Sequence, residues 1–214
     1  MKDDILVMLK IIFLVFALFF NSLVVLSQYS KISLKDSLII EKLQREGIAS
    51  GRLGDFEMAL SKFDSLYLIR KRTSGEHSFR LTSSLINMGI QYKNLQNFEK
   101  AIEVYDIAEK LIITKYGDEY PLLGAVYSNL GIIYSFNGDF NQAIQFQRNA
   151  IRLLKKDSLR FNETLQVTKY NLVENQLKLG YNQLAIEYAK ANINTAANSR
   201  LNARLYDLIA QAYR

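Results

Sequence analysis

The chain has 214 residues, 49% of them hydrophobic and 22% charged, with a formal net charge of +6, one proline, one histidine and no cysteine. That is enough apolar material for a sizeable core, but a lone histidine without cysteine offers no zinc-ligand set, and nothing about redox compartment can be read from pairing. The charge is mild for this length and fits solubility better than nucleic-acid binding.

Taken in order, residues 1–27 stand apart from the rest. Lys2 and Lys10 flank a short polar start that also holds Asp3 and Asp4, and Ile11 to Phe20 is unbroken apolar sequence. Asn21-Ser22 then interrupts, and small residues Val25 and Ser27 precede Gln28. This pattern predicts a secretory signal peptide cut between Ser27 and Gln28, which would place the chain in the periplasm or cell envelope. The alternative is an anchor retained over residues 5–26, for which the apolar run is short of the roughly 20 residues a span needs. Residues 28–37 form a lead-in.

Ser33-x-x-Asp36 has the form of a capping box opening a first helix that reaches about Arg52. A second helix runs from Phe56 to about Arg72, with Arg70, Lys71 and Arg72 in its last turn. There they complement the helix dipole, with a nucleic-acid or anionic-lipid patch as the other reading. A third helix is predicted from about Phe79 to Asn94 and a fourth from Asn97 to Tyr116. Pro121 suits the first turn of a fifth, and Asp139 the N-cap of a sixth. The seventh and eighth occupy about Leu159–Leu179 and Tyr181–Asn194. Ser199 opens a ninth, carrying Tyr206, Ile209-Ala210 and Tyr213. Residues 195–214 then read as the first helix of a further hairpin whose second helix is expected beyond Arg214.

The helices pair by repetition. Ala59, Ala101, Ala143 and Ala185 share one register of 42 residues, Gly47, Gly89 and Gly131 a second, and Phe56, Phe98 and Phe140 a third. Gly54, Gly138 and Gly180 share a fourth, with Gln96 as the exception. Such a period predicts a repeat array in which each unit buries its apolar face on its neighbours. In Tyr127-x-x-Leu130-Gly131-x-x-Tyr134 followed by Ala143, and in Met88-Gly89-x-x-Tyr92 followed by Ala101 and Tyr105, the pattern resembles the tetratricopeptide repeat. The length of the unit, and Gly117-Asp118-Glu119-Tyr120-Pro121 between units, resemble the long repeats of kinesin light chain. Ser74-Gly75-Glu76-His77-Ser78 is a looser echo of the same linker. Four repeats over residues 38–194 follow, the fourth departing most, with Val173 in place of Gly, Gln176 of Tyr and Asn182 of Phe. The resemblance implies an all-α fold, a right-handed superhelix of stacked antiparallel helix hairpins, that binds a protein or peptide. An exported leader before such an array also resembles bacterial sensors of the Bacteroidota type, in which an output domain follows.

No catalytic chemistry is expected. The chain has no G-x-x-x-x-G-K-[ST], H-E-x-x-H or G-x-S-x-G. His77 lies in a linker beside Ser78, which is adjacency and not a catalytic geometry. Asp118 and Glu119 read as linker caps. No metal, cofactor or small-molecule substrate is called for, and an RNA-binding repeat is disfavoured by the mild charge.

The first helix of each hairpin lines the concave wall in the resembling arrays. In the fifth helix the packing stripe is Leu123, Tyr127, Leu130-Gly131 and Tyr134, and Asn129 lies about 130° away at 100° per residue. Asn87 and Asn171 share its register, with Arg45 in the same place in the first repeat. The resemblance implies that Asn87, Asn129 and Asn171 bind the main chain of an extended ligand; the alternative is that they only tie neighbouring helices together. Arg52, Lys93 and Lys178, one and two turns on, would meet an acidic segment, or else form a solvated face.

Overall fold

The computed structural model describes residues 34–193 and 199–213, together with Phe13, Val15 and Phe16. The rest of the predicted leader, its cleavage point and Ser33 of the predicted capping box lie outside the described residues. Among the described residues there are nine α-helices and no strand. They are α1 (Leu34–Arg52), α2 (Phe56–Ser74), α3 (Thr82–Asn94), α4 (Phe98–Tyr116), α5 (Leu122–Phe136), α6 (Phe140–Leu154), α7 (Asn162–Lys178), α8 (Asn182–Asn192) and α9 (Ser199–Ala212). Short 3-10 turns at Phe79–Leu81 and Lys155–Asp157 lead into α3 and out of α6. The first helix begins at Leu34, ahead of the repeat boundary read at Leu38, and α7 begins at Asn162 and not Leu159. None of the described helices is long and apolar enough to cross a membrane.

The first three hairpin turns are built the same way, and the fourth, at Gly180-Tyr181, has no side-chain cap. Asp55, Asn97 and Asp139 each accept a hydrogen bond from the backbone N–H three residues on, capping α2, α4 and α6. The residue just before each cap is left-handed: Gly54 at φ 82°, Gln96 at 60° and Gly138 at 79°. Among the described residues Gln96 is therefore the one side chain forced into a conformation that glycine adopts freely.

Inside each hairpin a small residue on one helix receives a large one from the other. A Cβ placed on Gly47 would lie 2.9 Å from the Phe63 ring, and one on Gly89 only 2.5 Å from the Tyr105 ring. On Gly131 it would lie 2.9 Å from Gln147 Cγ and 3.2 Å from the Ala143 carbonyl oxygen. Phe63, Tyr105 and Gln147 share the 42-residue register, and all are essentially buried. The fourth hairpin keeps the fit with the sizes exchanged. Val173 occupies the glycine position and Ala189 the ring position, both buried in one cluster with Ala185. The apparent loss of the motif in repeat four is thus a compensated swap.

The hairpins stack into a continuous superhelical array. Apolar clusters form within each pair of neighbours, and tyrosines join them: Tyr67 and Tyr92 pack on the first and second, Tyr127 on the second and third, Tyr188 on the third and fourth. Helix α9 packs on the fourth hairpin through buried Leu205 and Leu208, while Tyr206 and Tyr213 are exposed.

Ion pairs fasten the linkers. Arg72 Nη2 donates to Asp36 Oδ1 at 2.8 Å and Lys71 Nζ to Glu76 Oε1 at 2.6 Å. So two of the three basic residues ending α2 bind specific carboxylates, beyond complementing a dipole. Glu119 accepts from Arg152 Nη1 at 2.6 Å and from Lys156 Nζ, tying the α4–α5 linker to the end of α6.

Gly131→Leu is expected to overpack the α5–α6 crossing and lower stability by about 1–3 kcal/mol, since the Ala143 carbonyl cannot yield as a side chain would; urea unfolding measures it. Hydrogen bonds from Arg152 and Lys156 hold the Glu119 carboxyl at about 2, below its ordinary 4.5. A depressed carboxylate stabilises fully above its unfolded value, and that contribution fades as pH falls towards the folded one. Between pH 5 and pH 2 the melting temperature of the native protein is therefore expected to fall further than that of Glu119→Gln. Parallel curves would remove the bridge from the account.

Candidate peptide-binding groove

The groove begins from polar contacts between the first helices of successive hairpins. Lys93 Nζ on α3 donates to Asn129 Oδ1 on α5 at 2.9 Å, and Asn129 Nδ2 donates to the Ala125 carbonyl at 2.9 Å. Ser135 Oγ on α5 donates to Asn175 Oδ1 on α7 at 2.7 Å. The Ser128 and Thr168 hydroxyls, both buried, meet at 2.7 Å. These bonds join hairpin to hairpin on one wall, where apolar packing alone would leave the rotation between repeats loosely set. Burial pushes the Lys93 ammonium below its ordinary pKa, and its partner is a neutral amide.

Three hollows follow this wall. The largest of them, about 510 Å³, lies between α5, α6 and α7, with Ile132, Phe136, Val167, Asn171, Glu174 and Lys178 among its lining. Ile132 and Phe136 also line a hollow of about 270 Å³ that reaches Lys93 and Phe98. Glu174 and Lys178 line a third of about 250 Å³ that extends to Leu208 and Gln211 of α9. Shared walls make the three one trough across α3, α5, α7 and α9. Phe136 stands in its middle, 71% exposed, with its ring stacked on Phe98 at 5.8 Å.

A separate hollow of about 520 Å³ lies at the opposite ends of these helices, with Arg70, Phe79, Arg80, Ser83, Asn87 and Arg160 in its lining. Arg70 is held there by neutral partners: Ser83 Oγ, Ser84 Oγ at 3.0 Å and Gln44 Oε1 at 3.0 Å. Desolvation lowers its pKa, and among the described residues no carboxylate pairs with it.

The structure distributes the predicted site residues over these features. Lys93, Asn171 and Lys178 fall in the trough, and Asn87 in the separate hollow. Asn129 is the asparagine already engaged, by Lys93 and by its own helix. Arg45 is exposed and lies 3.9 Å from Glu41, and Arg52 is exposed at the end of α1. Residues that sequence reasoning passed over are Phe136, Gln147 and Asn175, while Arg70 was read only as a helix-end charge. Gln147 carried a signal, because it breaks the aromatic series of Phe63 and Tyr105.

Residues 80–156, from the turn before α3 to the turn after α6, match the tetratricopeptide repeat family. The array has the fold of a tetratricopeptide-repeat solenoid. Its repeats resemble those of kinesin light chain. Protein KINESIN LIGHT CHAIN-RELATED 3 of Arabidopsis thaliana is 27% identical over 118 residues, which are 54% of this chain and 18% of that protein. This chain thus spans under a fifth of that relative. Among solved structures, the nearly identical TPR-like repeats of a Podosopora anserina kinesin light chain superpose with a TM-score of 0.66 at 15% identity, covering 81% of this chain and 85% of that one. BtubC (BKLC) from P. vanneervenii superposes with a TM-score of 0.61 at 18% identity, covering 86% of this chain and 68% of that one. At such identities the likeness establishes the fold of the tetratricopeptide array and nothing finer.

Proposed function

We propose that the chain is a non-catalytic protein-interaction scaffold, exported to the cell envelope, that binds an extended segment of a partner along the trough. The observation that carries this reading is the trough itself. It crosses three successive hairpins and α9, it exposes Phe136 at its centre, and it offers the Asn171 amide and the half-buried Lys93 ammonium along its length. An extended chain exposes N–H and C=O groups along its backbone, and asparagine supplies both donor and acceptor to meet them. Lys93 and Lys178 in the trough, with Arg45 and Arg52 exposed on α1, favour an acidic segment.

The test uses the tightest binder from an immobilised library of extended peptides. Asn171→Ala with Lys178→Ala removes from the trough one neutral hydrogen-bonding group of about 0.5–1.5 kcal/mol and one charged group of about 1.5–3 kcal/mol. Tenfold in affinity is about 1.4 kcal/mol. The pair is therefore expected to weaken binding by at least tenfold with little change in melting temperature. Asn129→Ala is expected to lower stability as well, since it strips Lys93 of its acceptor. Binding is expected to weaken as salt is raised. Unchanged affinity in the double variant would move the partner to another face.

Export rests on the leader. Expression with export machinery is expected to yield a protein beginning at Gln28 by intact mass. A membrane-bound species retaining Met1 would instead support an anchored scaffold.

A further inference from the structure

The trough contains two buried side-chain amides with unused hydrogen-bonding capacity. Gln147 on α6 is 0% exposed, and neither its Oε1 nor its Nε2 has a partner. Asn175 on α7 is 1% exposed; its Oδ1 accepts from Ser135, but its Nδ2 has no partner. Both line the hollow of about 510 Å³ between α5, α6 and α7. The repeat itself provides the comparison. Phe63 and Tyr105 occupy the Gln147 position in the first two hairpins and fill it with rings. Tyr105 also leaves its hydroxyl without a partner, but it does not line this hollow. An amide at a core position with nothing to bond destabilises the fold, and local departures of this sort mark functional sites.

We propose that this hollow is a specificity subsite for a primary carboxamide, the side chain of a glutamine or asparagine in the bound segment. The inference rests on the groove reading above and adds what one part of the groove selects. The unused set is two donors, from Gln147 and Asn175, and one acceptor, Gln147 Oε1. A carboxylate only accepts and would leave Gln147 Oε1 bare. An ammonium or guanidinium only donates and would leave both NH2 groups bare. A trans peptide group points its N–H and C=O in opposite directions, so the ligand backbone cannot pair with both ends of the Gln147 amide. A hydroxyl presents one oxygen where the pairing needs two atoms set apart. A primary carboxamide places an N–H and a C=O side by side, as Gln147 does. Its second lone pair remains for Asn175. Reversing the Gln147 amide presents the same pair of groups. At the rim Glu174 and Lys178 carry opposite charges, and Ile132, Phe136, Phe140 and Val167 supply apolar walls, which suit a neutral polar group on a short alkyl stem.

The probe is N-acetyl-glutamine N-methylamide, titrated at millimolar concentration into the nitrogen-15-labelled full chain and compared with the blocked forms of glutamate, methionine and serine. The side-chain NH2 signals of Gln147 and Asn175 are followed by NMR. The blocked glutamine is expected to shift both signals saturably and to bind at least fivefold tighter than the other three. In Gln147→Met, a near-isosteric change, the Asn175 shift is expected to vanish while the melting temperature holds or rises. The ranking of probes on the native chain stands without the variant, should the variant not fold. Equal binding of all four probes would overturn the proposal. So would a Gln147→Met chain that is less stable and still shows the shift. If library peptides perturb the trough while blocked glutamine does not, the subsite falls and the groove reading survives. If blocked glutamine binds and no peptide does, the groove reading falls and the subsite survives.

Discussion

The array depends on how closely two helices of one hairpin can approach. At each crossing a residue without bulk faces one with bulk, and the gap is too small for both to be large. The fit at Gly89 shows how small, since a single methyl there would collide with the Tyr105 ring. Interiors packed to this density do not stretch, so the crossing geometry propagates. The register of α3 on α4 and of α5 on α6 fixes where the outer faces of α3 and α5 point. Those faces build the trough.

Close packing sets the hairpin, but it does not by itself set the rotation between hairpins. That comes from directional bonds. Lys93 to Asn129, Ser135 to Asn175 and Ser128 with Thr168 each cross from one repeat to the next. Hydrogen bonds are short-ranged and angular, so a modest rotation breaks them where apolar surfaces would slide. The wall that is proposed to recognise a ligand is therefore also the wall that sets the superhelix. Asn129 illustrates the tension: the residue type suits a ligand backbone, yet its oxygen and one N–H serve the scaffold.

Much of the fold was legible in the sequence because the constraint is periodic. Glycines, alanines and phenylalanines at one interval predict hairpins and turns, and Asp139 caps α6 where the pattern places it. The fourth repeat was harder, because the reading treated Val173 as a loss. Its compensation, Ala189, appears only when both members of the contact are compared. The site was less legible for a different reason. Helical periodicity tells which side of a helix a residue occupies, and Asn87, Asn129 and Asn171 share a side. It does not tell which of them a neighbouring lysine has already engaged. Arg70 was read as a helix-end charge because the sequence does not show its neutral neighbours Gln44, Ser83 and Ser84.

Departures from the repeat are the informative residues, and they divide by whether something nearby compensates them. Val173 is answered by Ala189, and the fourth hairpin closes as the others do. Gln147 has no such answer: its amide sits where a ring would satisfy the core, with both polar atoms unpartnered. Arg70 is intermediate, bonded but without an opposite charge. A fold under selection for stability alone would replace both with apolar groups of similar volume, since an uncompensated buried polar group costs more than its hydrogen bonds return. Each instead lines a hollow, Arg70 at one end of the helical wall and Gln147 in the trough at the other. The stability surrendered inside the array coincides with hollows, of which the trough is the one in which a partner is proposed to bind, so departures from the repeat are where its units come to differ in chemistry.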